Sequence, residues 1–174
     1  RLAESDLWTL DFLAARHLHA HGRTGEALAA VRRVPVPFGP ARDHLEGLLL
    51  CMLGRAAEGR PLLERAAAAL PRHRLVRDHL AYARMETGGH AAAAALWEGL
   101  LAEGAAGGPP GEVPLRRNLA AARLAGGDAD GALAALAGDA PALRKDRIRV
   151  LLRTGQRARA AAEDAVLNGT APPP

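Results

Sequence analysis

The sequence is short of everything a β-sheet is built from. Its 174 residues hold one Ile, seven Val, five Thr and five aromatic side chains (two Trp, two Phe, one Tyr). A sheet covers its pleated faces with branched and aromatic side chains, so this composition argues against a β or α/β fold. Lysine is almost missing as well. Lys145 stands beside 22 Arg, so the pI near 10.4 and the net charge of +4 record arginine usage. An Ala/Arg/Gly-rich, Lys-poor composition is what a GC-rich, bacterial genome tends to encode, and it does not by itself imply a nucleic-acid partner. Ser5 is the one serine, which leaves little for a serine nucleophile with an internal base. Cys51 is the one cysteine, so no internal disulfide forms and nothing points to an oxidising compartment. Charge-free stretches such as Gly47 to Gly54 are far too short to span a bilayer, and no membrane insertion is expected. No secretory signal is visible, and the chain begins at Arg1. The expected location is the cytoplasm, with the periplasm left open.

Alanine and leucine are abundant instead, 69 residues together, enough for an all-helical domain with a sizeable core. Gly22, Gly54, Gly88, Gly127 and Gly155 each end one apolar-periodic segment and open another, at spacings of 32, 34, 39 and 28 residues. A glycine at such a place caps a helix in the left-handed conformation. Five residues after each comes a small residue: Ala27, Gly59, Ala93, Ala132 and Ala160. Small residues there let the two helices of a hairpin approach closely. Four residues further stand Val31, Leu63, Trp97 and Leu136, and then Asp164, which marks the last unit as degenerate.

The clearest unit is ARDHLEGLLLCMLGRAAEGRPLLERAAAALP, Ala41 to Pro71. With its Gly47, Leu50, Gly54, Glu58 and closing Pro71 it resembles the tetratricopeptide (TPR) repeat, a helix–turn–helix unit of about 34 residues. Gly22, Glu26, Ala27 and Val31 fit the pattern in the first unit, as do Leu80, Ala81, Gly88, Ala93 and Trp97 in the third. In the fourth, Leu119, Ala120, Gly127, Asp128, Ala132 and Leu136 fit; the fifth keeps Gly155 and Ala160. The pattern's Trp is absent throughout, and its Tyr is replaced by Leu18, Leu50, Arg84, Arg123 and Leu151. The expected organisation is one domain over 1–174, with repeats at about 5–39, 40–71, 74–106, 113–140 and 141–168. A flexible loop is expected over 104–114 and a Pro-rich tail over 169–174, and Ser5 or Asp6 is a candidate first N-cap. Pro61 is expected early in its helix, where its missing N–H costs little. Another α-solenoid or an irregular helical bundle would share the hairpins.

The resemblance implies an all-α solenoid of antiparallel hairpins wound into a right-handed superhelix, the first helix of each hairpin lining the concave face. Carried over by register, that face is Phe12, Arg16 and His19 in the first unit and His44, Leu48, Cys51 and Met52 in the second. The third supplies Asp78, His79, Tyr82 and Met85; the last two supply Arg117, Asn118, Ala121, Lys145, Arg149 and Arg153. Leu48, Cys51 and Met52 could equally pack between units. An apolar middle with polar flanks suits a peptide or helix of a partner protein, and the methionines adapt to varied side chains. The Lys/Asn/Arg clamp by which some TPR proteins hold a chaperone's C-terminal carboxylate is absent, since Phe12, Arg16 and Leu45 occupy its places. The arginine-rich far end points instead to an acidic or mixed apolar/acidic peptide.

Three functions are therefore carried forward. The first is a non-enzymatic protein–protein interaction scaffold. The second is a docking or regulatory arm of a larger enzyme. The third is nucleic-acid binding through Arg144 to Arg159, which has no interleaved aromatic for base stacking. Self-association through solenoid ends is also open, because Trp8 lies near one of them. No cofactor or metal is expected. His17 and His21 share a helix face, but two imidazoles make a poor zinc site. Cys51 reads as a small hydrophobe on an apolar face, Trp97 as core, and Asn168-Gly169-Thr170 as a chance sequon.

Overall fold

In the computed structural model, residues 4–35, 39–104 and 111–170 are described, along with the side chains of those from Thr9 onward. They form ten α-helices and no strand. Residues 105–110 of the expected loop and 171–174 of the tail lie outside the described residues, as do the side chains of Ser5, Asp6 and Trp8.

The chain divides into two compact units, Arg1–Gly88 and Gly89–Pro174. Unit 1 contains α1 (Glu4–Ala20), α2 (Thr24–Arg33), α3 (Gly39–Met52), α4 (Ala56–Ala69) and α5 (Arg74–Glu86). Within it α1 packs on α2, α3 on α2 and α4, and α5 on α4, while α3 also touches α1 and α5. Unit 2 contains α6 (His90–Ala102), α7 (Glu112–Ala125), α8 (Ala129–Ala135), α9 (Pro141–Arg153) and α10 (Arg157–Leu167). There α7 packs on α6 and α8, and α9 on α10, α8 and α7.

The punctuation glycines behave as the spacing requires. All five have positive φ, between 73° at Gly22 and 86° at Gly127. Four of the turns close with the backbone bond of a Schellman cap: Arg23 N–H to Leu18 O (2.9 Å), and Arg55 to Leu50, Asp128 to Arg123 and Gln156 to Leu151 (2.8 Å each). The residue at the pattern's Tyr place supplies the carbonyl of this cap in each of these turns, and Leu50 and Leu151 bury their side chains in the core as well. Just after the turn, Arg23 pairs with Glu26 and Arg55 with Glu58, while the Asp128 carboxylate caps α8 by accepting from Gly131 N–H at 2.8 Å.

Every small residue five places on is buried: Ala27, Ala93 and Ala132 are fully enclosed, Ala160 nearly so, and Gly59 lies between α3 and α4. The larger apolar residues four places further, Val31, Leu63, Trp97 and Leu136, are the inner core, while Asp164 is exposed. The α3/α4 contact is the tightest of these. A Cβ at Gly59 would stand 2.5 Å from the Gly47 carbonyl oxygen, and a Cβ at Gly47 would stand 2.7 Å from Leu63 Cγ. Glycine is therefore required there by backbone proximity.

Two local expectations change. Ser5 and Asp6 fall inside α1, which begins by Glu4, so neither is its N-cap. Pro61 is the sixth residue of α4, a full turn beyond the first helical position, and so leaves the carbonyl of Ala57 without its helical donor. Of the residues expected in the long loop, Glu112 to Pro114 form the first turn of α7.

Gly59→Ala is expected to destabilise the protein by about 1–3 kcal/mol through forced separation of α3 and α4. Gly99→Ala, at an α6 position where nothing stands within 4 Å of the added carbon, should stabilise it by about 0.5–1 kcal/mol. Urea denaturation of the two variants beside the native chain checks both signs.

Candidate functional site

Each unit presents the faces of its first helices, and the two are chemically unlike. In unit 1, α1, α3 and α5 bring imidazoles together. His44 Nε2 on α3 lies 2.7 Å from His79 Nδ1 on α5, with the rings stacked at 4.9 Å between centroids. One ring nitrogen must donate and the other accept, so at least one of the two rings is neutral. His73, before α5, has its ring 5.9 Å from that of His44 and accepts from Val76 N–H. His19 on α1 has a buried Nδ1 with no hydrogen-bond partner. Burial, followed by the neighbouring imidazoles, pushes both His44 and His79 down to about 4.

Around this pair the register residues sort by burial. Phe12 is half-buried against the core formed by Ala15, Leu28, Leu45 and Leu49, and so is a packing residue. Arg16 is exposed, and Leu48, Asp78 and Met85 are half-buried. Met52 is 50 % exposed and Tyr82 37 %. Cys51 is buried beside Gly59, and its thiol is pushed up to about 11 by burial and then by Glu86. At neutral pH it is a packing group with negligible thiolate.

In unit 2, α7 and α9 flank an open cavity of about 490 Å³ whose apolar lining includes Ala120, Ala121, Leu124, Leu136 and Val150. Arg117, Asn118, Arg149 and Arg153 line it too; Lys145, named with them from register, does not. Asp146 is the residue the sequence undervalued. Its carboxylate takes Arg117 from α7 and Arg149 from its own helix, the latter at 2.6 Å. The signal was available, since Asp146 and Arg149 stand three apart on a helix. Arg153 has no ion-pair partner among the described residues, so the rim carries a surplus of positive charge.

Much of the remaining arginine-rich segment is consumed internally. Arg144 and Arg147 both bind Glu163 of α10, at 3.0 and 2.8 Å. Arg147 also donates to the carbonyls of Leu136 and Gly138 at 2.8 and 3.0 Å, which closes the end of the short α8. Glu163 is held below the usual carboxylate range, first by its Arg147 hydrogen bond.

The other histidine pair is local. His17 and His21 are exposed with ring centroids 4.2 Å apart, and His21 Nδ1 donates to the His17 carbonyl at 2.9 Å. Among the described residues no three His, Cys, Asp or Glu side chains group so as to hold a metal ion, and no helix is long and apolar enough to cross a membrane.

Comparison with solved structures decides the fold. TPR-like repeats of a kinesin light chain from Podosopora anserina superpose with a TM-score of 0.78 at 19% identity, over 98% of this chain and 97% of that one. The architecture is a TPR-like helical repeat. MamA residues 41 to the end from Desulfovibrio magneticus RS-1 match with a TM-score of 0.76 at 14% identity, over 97% of both chains. MamA from MSR-1 matches at 0.73 and 18%, over 94% of this chain and 95% of that one. No protein-family model and no curated protein sequence matches the chain.

The Cys51 thiol of the folded chain is expected to react with a disulfide reagent at pH 8 roughly 100-fold more slowly than a free cysteine, given its raised pKa and burial. In increasing urea its rate should rise with the unfolded fraction, and a fast reaction in native buffer would contradict the packing role.

Proposed function

We propose that the protein is a non-enzymatic interaction scaffold whose first-helix faces receive a peptide or helical segment of a partner protein. The TPR-like fold supports the general reading. The α7/α9 cavity supports the finer one, a partner segment that mixes apolar and acidic residues. Its floor is alanine, leucine and valine, and its rim offers three guanidinium groups against the single carboxylate of Asp146. An acidic side chain entering there would compete with Asp146 for Arg117 and Arg149 and find Arg153 unengaged. Arginine suits this role because its planar fork grips a carboxylate through two bonds.

The same ion pairs weigh against nucleic acid. Arg144, Arg147 and Arg149 are each committed to a carboxylate, which reduces the segment's free charge for a phosphate backbone. A role as the docking arm of a larger enzyme uses the same face and requires the same partner chemistry. The unit 1 face, with Met52 and Tyr82 exposed beside Leu48 and Met85, is the second candidate contact surface.

Fluorescence polarisation with a labelled Glu/Leu peptide, and with a Lys/Leu peptide of the same pattern, tests the reading. The Glu/Leu peptide should bind, the Lys/Leu peptide should not, and Arg149→Glu with Arg153→Glu should weaken binding by tenfold or more. Asp146→Asn should strengthen it by releasing two arginines. Equal binding of both peptides, or unchanged affinity of the double variant at low salt, would refute the acidic-partner reading.

A further inference from the structure

We propose that the imidazole cluster on the α1, α3 and α5 face is an acid-operated latch, closed when its rings are neutral and opened by protonation, so that unit 1 loosens in mild acid while unit 2 does not. The latch is the His44–His79 hydrogen bond, a direct side-chain bond between α3 and α5. Such a bond exists only while one ring nitrogen is an unprotonated acceptor. Protonating both rings leaves donors facing donors, with two like charges at stacking distance.

The groups acting electrostatically on the pair are imidazoles: His73 on both rings, and His19 of α1 on His79. The two carboxylates of α3 form ion pairs elsewhere. Asp43 of α3 binds Arg65 of α4 at 2.9 Å, and Glu46 of α3 binds Arg32 of α2 and its own helix's Arg42 at 2.9 and 3.2 Å. Glu86 of α5 acts on Cys51 and Tyr82. Asp78 adjoins His79 in sequence, but successive helical residues point about 100° apart. His19 of α1 adds a further imidazole to the cluster, its Nδ1 buried without a hydrogen-bond partner.

The sign follows from linkage. Each ring falls from an ordinary value of 6.5 to about 4 in the folded chain, so the unfolded state binds more protons between these limits. The stability held by the neutral pair is present above pH 6.5 and is lost as the pH falls toward 4. Unit 2 holds only His90 of the seven histidines, so the effect belongs to unit 1. Glu26 and Glu58, the unit 1 carboxylates with lowered pKa, titrate below 4.5 and leave the window from pH 7 to 5 to histidine.

Native-state hydrogen exchange at pH 7 and pH 5, corrected for intrinsic rates, tests the latch on the full chain. The opening constant for amides of α3 and α5 should rise about 20-fold for each ring, and that for α7 and α9 less than about twofold. His44→Gln with His79→Gln keeps hydrogen-bonding groups that do not titrate, and should reduce the rise in unit 1 to a few-fold. A pH-independent opening constant, an equal rise in both units, or a full rise in the double variant would overturn the proposal. Should that variant fold poorly, NMR titration of the native imidazoles decides the matter. His44 and His79 are expected to titrate well below 6.5, and values at or above 6.5 for both would refute the latch.

Discussion

In unit 1 the helices α3 and α4 are held together through glycine. At Gly47 and Gly59, α3 and α4 approach so nearly that neither position has room for a methyl group, and Ala27, Ala93, Ala132 and Ala160, at the matching places of the other repeats, are buried. The rest of the arrangement depends on this. Val31, Leu63, Trp97 and Leu136 are then buried in the core, and within unit 1 this orients α2 and α4 against their first helices. The opposite side of each first helix is then left to neighbouring first helices and to solvent, and all the chemistry of interest lies there. The glycines in the turns permit the arrangement, and the small residues set its spacing.

The two units use that side differently. In unit 1 it is apolar and imidazole-rich, with neutral rings joined across helices. In unit 2 it is an apolar cavity rimmed by arginine, partly quenched by Asp146. A repeat scaffold allows such division because each hairpin contacts mainly its neighbours, so the face can change along the chain without disturbing the core. The internal use of Arg144 and Arg147 makes the same point. Arginines adjacent in sequence to those of the cavity are structural, binding Glu163 and closing the end of α8.

The hairpins were legible in the sequence because their determinants are local: a glycine, a small residue five places on, and a large one four further. Each of these does in the structure what the spacing implied, and the repeat fold followed. Helix starts were less legible, since Ser5 and Asp6 look like caps but lie within α1, and Pro61 is tolerated a turn deeper than its propensity suggests. Register alone brought Arg117, Asn118, Arg149 and Arg153 to one cavity. It also swept in Phe12, which packs into the core, and Lys145, which does not line the cavity. The Asp146–Arg149 pair was legible as neighbours three apart on one helix, whereas the Asp146–Arg117 pair and the place of His73 depend on which side chains meet across helices. The His44–His79 bond spans 35 residues and is a tertiary fact with no local signature.

The central claim is that the arginine-rimmed cavity between α7 and α9 receives an acidic, partly apolar segment of a partner. Backbone chemical-shift mapping during titration with the Glu/Leu peptide tests it most directly. The account requires the largest shifts at Asn118, Ala121, Arg149 and Arg153, with the outward residues of α8 and α10 unmoved. Shifts concentrated on α8 and α10, or spread evenly over every arginine, would contradict it.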